Sequence, residues 1–140
     1  MNRVDVERLI DQHGIETVKI GTPDIDGVYR GKRLGVRQFL DGCEGDGFAQ
    51  CDVIFGWDIA EEVIDSQKLA IGSADTGFAD VLLRPDLATF RVVPWEPATA
   101  AVIADVYDEH GGLGGAGIRT AQDHPDQRAA AEGGNQHPLR

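Results

Sequence analysis

A change of character at Gly111 constrains this chain more than any other feature of its sequence. Residues 1–110 carry 10 Lys/Arg against 21 Asp/Glu, whereas residues 111–140 carry three of each sign, so the whole net charge of −11 belongs to the first part. The last 30 residues hold seven glycines, no aromatic residue, and only Leu113, Ile118 and Leu139 as large apolar groups. Such a segment cannot bury enough surface to offset its ordering entropy, and disorder is the expectation for 111–140. A folded core must therefore come from residues 1–110, enough for one domain and too few for two.

No run of 18 apolar residues occurs, and the opening MNRVDVERLI carries charges where a signal peptide needs an apolar stretch. A cytoplasmic location is the expectation. The acidic excess repels phosphate backbones and anionic lipid, which argues against nucleic-acid and membrane-surface partners. Cys43 and Cys51 are separated by seven residues, unlike the close pairs of zinc or dithiol sites, and are expected as packed or surface thiols. The histidines, His13, His110, His124 and His137, are scattered, and no glycine-rich loop leads into a lysine that would help cradle phosphate. No metal or cofactor site is expected within the chain.

Asn2 can cap a short helix in which Val6, Leu9, Ile10 and His13 share one face before Gly14 stops it. Thr17 to Ile20 and Val28 to Val36 are rich in β-formers and flank Asp26-Gly27, a pair suited to a tight hairpin. Val36 to Leu40 allows one helical turn with Gly42 as its stop. Phe48 to Phe55 reads as a third strand, 61–77 as a long loop with one helical turn at Ala60 to Ile64. Val81 to Leu83, Thr89 to Val93 and Thr99 to Tyr107 read as further strands, separated by turns at Pro85-Asp86 and Pro94-Trp95-Glu96-Pro97. A helix, a hairpin and several later strands describe an α+β domain with a mixed sheet.

Four motifs in order carry a resemblance: Asp24-Ile25-Asp26-Gly27 with Arg30-Gly31-Lys32; Gly56-Trp57-Asp58; DVLLRPDLATFRVVPW from Asp80 to Trp95; and Ala104-Asp105-Val106-Tyr107. Over residues 3–110 the chain resembles the N-terminal β-grasp domain of the glutamine synthetase family, including its γ-glutamyl-amine ligases. The resemblance implies a β-grasp-like mixed sheet. It also implies membership of ATP-dependent ligases that phosphorylate the γ-carboxylate of glutamate and let ammonia or an amine displace the phosphate, with Mg or Mn assisting. In that family the metal and phosphate ligands lie in a large C-terminal domain that would begin just past residue 110. The expectation is a truncated, catalytically incomplete chain, produced by a frameshift or early stop.

The resemblance further implies that this domain lends a tryptophan and an acidic residue to the site of a neighbouring subunit, within a homo-oligomer or with full-length ligase subunits. Trp57 matches the tryptophan, and Asp52 is the candidate acid, able to attract and deprotonate ammonium. Asp52 stands only five residues before Trp57, a spacing shorter than in bacterial glutamine-forming members, which favours an amine-ligase relative. Read from the residues alone, Asp52 is equally a solvated strand-end carboxylate, and Trp57 a packed loop aromatic. Arg30, Lys32 and Arg33 read as a solvated cationic face. Arg91 would pair with Asp86 or Asp105 or face a partner, and Trp95, held between prolines, would cover the sheet end. From another functional class, a stand-alone interaction module docking on full-length ligase subunits through an exposed sheet edge fits the same residues.

Overall fold

The computed structural model describes residues 1–24, 26–63 and 77–107. The disorder expected for 111–140, and the boundary at Gly111, lie outside them. The first helix, α1 (Arg3–His13), begins where the sequence signals it: Asn2 accepts from the Asp5 amide and Asp5 returns the bond to the Asn2 amide. Gly14 closes the helix in the left-handed conformation, φ 57°. Val6 and Ile10 are buried, but His13 is exposed, so the apolar face is narrower than expected.

Strands β1 (Thr17–Pro23) and β2 (Tyr29–Gly35) form the antiparallel hairpin, and α2 (Val36–Glu44) follows directly. The helix does not stop at Gly42. A Cβ there would lie 2.2 Å from the Phe48 ring, so this glycine makes room for packing rather than ending the helix.

Strand β3 (Phe48–Cys51) is half the expected length, because Asp52–Phe55 winds into a 3₁₀ turn. Asp52, Ile54 and Phe55 are buried in this turn. Strand β4 (Asp80–Pro85) precedes a second 3₁₀ turn, Leu87–Thr89, where a strand was expected from Thr89. Asp86 caps this turn through the Ala88 amide, and Thr89 Oγ1 accepts from the Ile103 amide at 2.9 Å, leaving a two-residue strand β5 (Arg91–Val92).

The long strand β6 (Thr99–Tyr107) is the spine of the sheet, whose order is β2-β1-β6-β4-β3. Its first half runs parallel to β1 and antiparallel to β5; its second half runs antiparallel to β4. This is the expected mixed, β-grasp-like sheet. Val6 and Ile10 from α1 and Phe39 from α2 pack with Val18, Ile20, Leu83 and Val102 in one core. At its centre Phe39 stacks on Phe48 (centroids 6.2 Å apart) and meets Phe90 at 5.9 Å, contacts worth about 0.5–1.5 kcal/mol each beyond their burial.

The sheet is rolled. Lys32 on edge strand β2 donates through Nζ to the Ala49 carbonyl of the opposite edge strand β3. The roll brings the hairpin against the segment that follows β3. Trp95 does not cover the sheet end; it is 79% exposed in the turn before β6. Among the described residues no helix is long and apolar enough to cross a membrane.

Candidate functional site

The site lies where the rolled edges approach. The hairpin turn is organised by Asp24, whose Oδ1 accepts from the amides of Asp26 (2.9 Å) and Val28 (2.8 Å), while Gly27 supplies the positive φ of 80° that the turn needs. The second carboxylate oxygen accepts from Arg30 Nε at 2.5 Å. The side chains of Asp24 and Arg30 are 0% and 6% exposed. Burial by itself would raise the Asp24 pKa, but the Arg30 hydrogen bond and the two amides outweigh it and hold the carboxyl below its ordinary value. The same partner raises the Arg30 guanidinium further. Of the three cations expected on a solvated face, Arg30 is thus inside the protein. It sits there because Asp24, six residues earlier across the turn, neutralises it; Lys32 is tied to the Ala49 carbonyl, and Arg33 binds Glu96 at 3.1 Å.

Arg30 also reaches across to the loop after the 3₁₀ turn. Its Nη2 donates to the Asp58 carbonyl at 3.0 Å, its Nη1 approaches Glu61 Oε1 at 3.4 Å, and its guanidinium carbon stands 5.1 Å from the Trp57 ring centroid. The loop closes on itself. Asp58 Oδ1 accepts from the Ala60 and Glu62 amides, Trp57 and Val63 form a β-bridge, and Glu61 takes φ 64°. The helical turn expected at Ala60 to Ile64 is therefore not formed through Val63, because Asp58 caps a tight loop instead; Ile64 lies outside the described residues. Ile59 projects from the loop at 77% exposure.

Between hairpin and loop lies a cleft of about 300 Å³, lined by Arg30, Gly31, Gln50, Ile54, Trp57 and Glu61 among others. Trp57 is half-buried at its wall. Asp52 is 3% exposed, so it is not a solvated strand-end carboxylate; its amide donates to the Ala79 carbonyl at 3.0 Å. It does not line the cleft, whereas Gln50 does. Arg91 is exposed on β5. Sequence reasoning placed Arg30 on a solvated face and passed over Gln50. The signal for Arg30 was its placement six residues after Asp24 across a turn; nothing in the sequence marks Gln50.

Among the described residues no group of three or more His, Cys, Asp or Glu is placed to hold a metal ion.

No protein-family model matches the chain. Curated relatives do. A glutamate–isopropylamine ligase from Pseudomonas sp. is 40% identical over 106 residues, 76% of this chain and 23% of the relative. A type-1 glutamine synthetase from Dictyostelium discoideum is 39% identical over 94 residues, 67% of this chain and 18% of the relative. The solved structure described as apo GmaS without ligand aligns with a TM-score of 0.55 at 24% identity, over 78% of this chain and 22% of that one, which is a likeness of fold. The chain thus spans about a quarter or less of the relatives it matches. With the mixed sheet and the ordered motifs, these matches identify the chain as carrying an N-terminal domain of the glutamine synthetase family.

Proposed function

We infer that this chain is the N-terminal part of an ATP-dependent carboxylate–amine ligase, joining the γ-carboxylate of glutamate to an amine or to ammonia. The observation that carries the reading is the 40% identity over 106 residues to a glutamate–isopropylamine ligase. That relative's named substrate, together with the short spacing between Asp52 and Trp57, favours an amine over ammonia. In this reading the domain lends Trp57 and Asp52 to a site completed by a neighbouring ligase subunit. Trp57 supplies a ring at the cleft wall, and Asp52 supplies negative potential from behind it. ATP and its divalent metal are held by the catalytic domain, and residues 1–140 without that domain are inactive.

The test is a chimera in which this chain replaces the matching N-terminal region of the isopropylamine ligase. The chimera should release phosphate from ATP in a glutamate- and amine-dependent manner, and Trp57→Ala should slow it by about tenfold or more. The 140-residue chain by itself should show no turnover. Turnover by the isolated chain, or a folded chimera that stays inactive beside an active parent, would refute the reading.

A further inference from the structure

We propose that Arg30 is a positioning residue: anchored by Asp24, it clamps the loop 57–63 and sets where Trp57 stands at the shared site. The functional consequence rests on the role given to Trp57 above; the clamp itself rests on geometry. The hairpin turn does not require Arg30, because Asp24 Oδ1 closes it through the Asp26 and Val28 amides. Arg30 takes the other oxygen, so the guanidinium is oriented by the same carboxylate that shapes the turn.

From that anchor the remaining donors point away from β2. Burying a guanidinium carries a desolvation cost that is offset only where its donors are met. Here they are met by a loop about thirty residues further on, at the Asp58 carbonyl and the Glu61 carboxylate. The bridge between Trp57 and Val63 lies within the loop, and among the described residues the polar contacts joining this loop to β2 all come from Arg30. The guanidinium carbon also stands over the indole ring. A lysine at this position would keep the charge beside Asp24 and lose the planar fork that reaches Asp58, Glu61 and Trp57 together. Arg30→Lys therefore separates ion pairing from positioning.

The chain has two tryptophans, so Trp95→Phe leaves Trp57 as the reporter. In that background Arg30→Lys should raise acrylamide quenching of Trp57 by about two- to threefold at unchanged far-UV circular dichroism. A core control, Val18→Ala, should leave quenching unchanged below its melting transition. Equal quenching in parent and Arg30→Lys, or an equal rise in the control, would overturn the clamp. In the unmodified chain the Arg30 Hδ resonances should be shifted upfield by the Trp57 ring current, and unshifted resonances would also overturn it. In the chimera, Arg30→Lys should lower kcat by about tenfold with the KM for ATP unchanged. An inactive parent chimera alongside altered quenching removes the ligase reading and keeps the clamp. An active chimera in which Arg30→Lys changes neither kcat nor quenching removes the clamp and keeps the ligase.

Discussion

Replacing Asp24 with asparagine keeps the shape of the side chain and removes the charge opposite a guanidinium that is 6% exposed. It also creates a geometric conflict. Both carboxylate oxygens accept, one from two amides and one from Arg30 Nε, so either orientation of the substituted side-chain amide sets a donor against a donor. Breaking a buried pair in this way costs about 3–5 kcal/mol, against a total stability of about 5–15 kcal/mol for a domain of roughly 100 residues. With a urea slope of about 1.5 kcal/mol per molar, the unfolding midpoint should fall by about 2–3 M. Arg30→Met leaves the carboxylate two amides but loses the Asp58 and Trp57 contacts, and should cost about 3 kcal/mol. The double variant leaves neither charge of this pair buried, so its loss should be smaller than the sum of the single losses by about 2 kcal/mol. Urea unfolding of the four proteins by circular dichroism completes the cycle. Single losses below about 1 kcal/mol that add within about 0.5 kcal/mol would describe a solvated surface pair and refute the argument.

Other expectations follow from single positions. A Cβ at Gly31 would lie 1.9 Å from the Ile20 carbonyl oxygen and 2.5 Å from Gly21 Cα; because backbone cannot yield, Gly31→Ala should cost about 3 kcal/mol and lower Tm by more than about 10 °C in a thermal melt. Burial, the main cause, pushes the Cys43 thiol up to about 11, so in a Cys51→Ala background its reaction with Ellman's reagent near pH 8 should run about 100-fold slower than in the urea-unfolded chain, and equal rates would contradict that. The Asp24 carboxyl is held below its ordinary value of 3.8. Its contribution is complete above that value and disappears as the pH falls through the folded-state pKa. The stability gap between parent and Arg30→Met should accordingly be widest at neutral pH and shrink below about pH 4, measured by urea midpoints.

The outline of the sheet was legible because local signals agreed with tertiary demand. Asn2 and Gly14 bracket α1, Asp26-Gly27 turns the hairpin, and Thr99 to Tyr107 forms the central strand with the expected limits. The misreadings occurred where packing overrode a local cue. Gly42 looks like a helix stop, but the glycine there answers to a phenylalanine ring six residues on. Phe48 to Phe55 looks like one strand, but Asp52–Phe55 winds into a 3₁₀ turn that buries Asp52, Ile54 and Phe55. Arg30 looked solvated because its two neighbours among the basic residues are near the surface; its burial depends on Asp24 across the turn and on Asp58 in a loop that sequence spacing does not connect to it. Trp57 was legible as a motif. The cleft beside it depends on the roll of the sheet, which no single segment encodes.

The 3₁₀ turn also decides how Asp52 can act. Had β3 continued to Phe55, residues 50, 52 and 54 would share one face by strand alternation, and Asp52 would line the cleft between Gln50 and Ile54. The turn keeps Gln50 and Ile54 at the cleft and buries Asp52. Its proposed role is therefore through charge and not through contact. A unit charge about 10 Å from a substrate ammonium, at an effective dielectric near 20, is worth about 1.5 kcal/mol, or roughly tenfold in KM. In the active chimera Asp52→Asn should raise the KM for the amine by about that factor with the KM for ATP unchanged. Loss of thermal stability with both KM values unchanged would remove Asp52 from the site and leave Gln50, Glu61 and Arg30 as the polar side chains of the cleft.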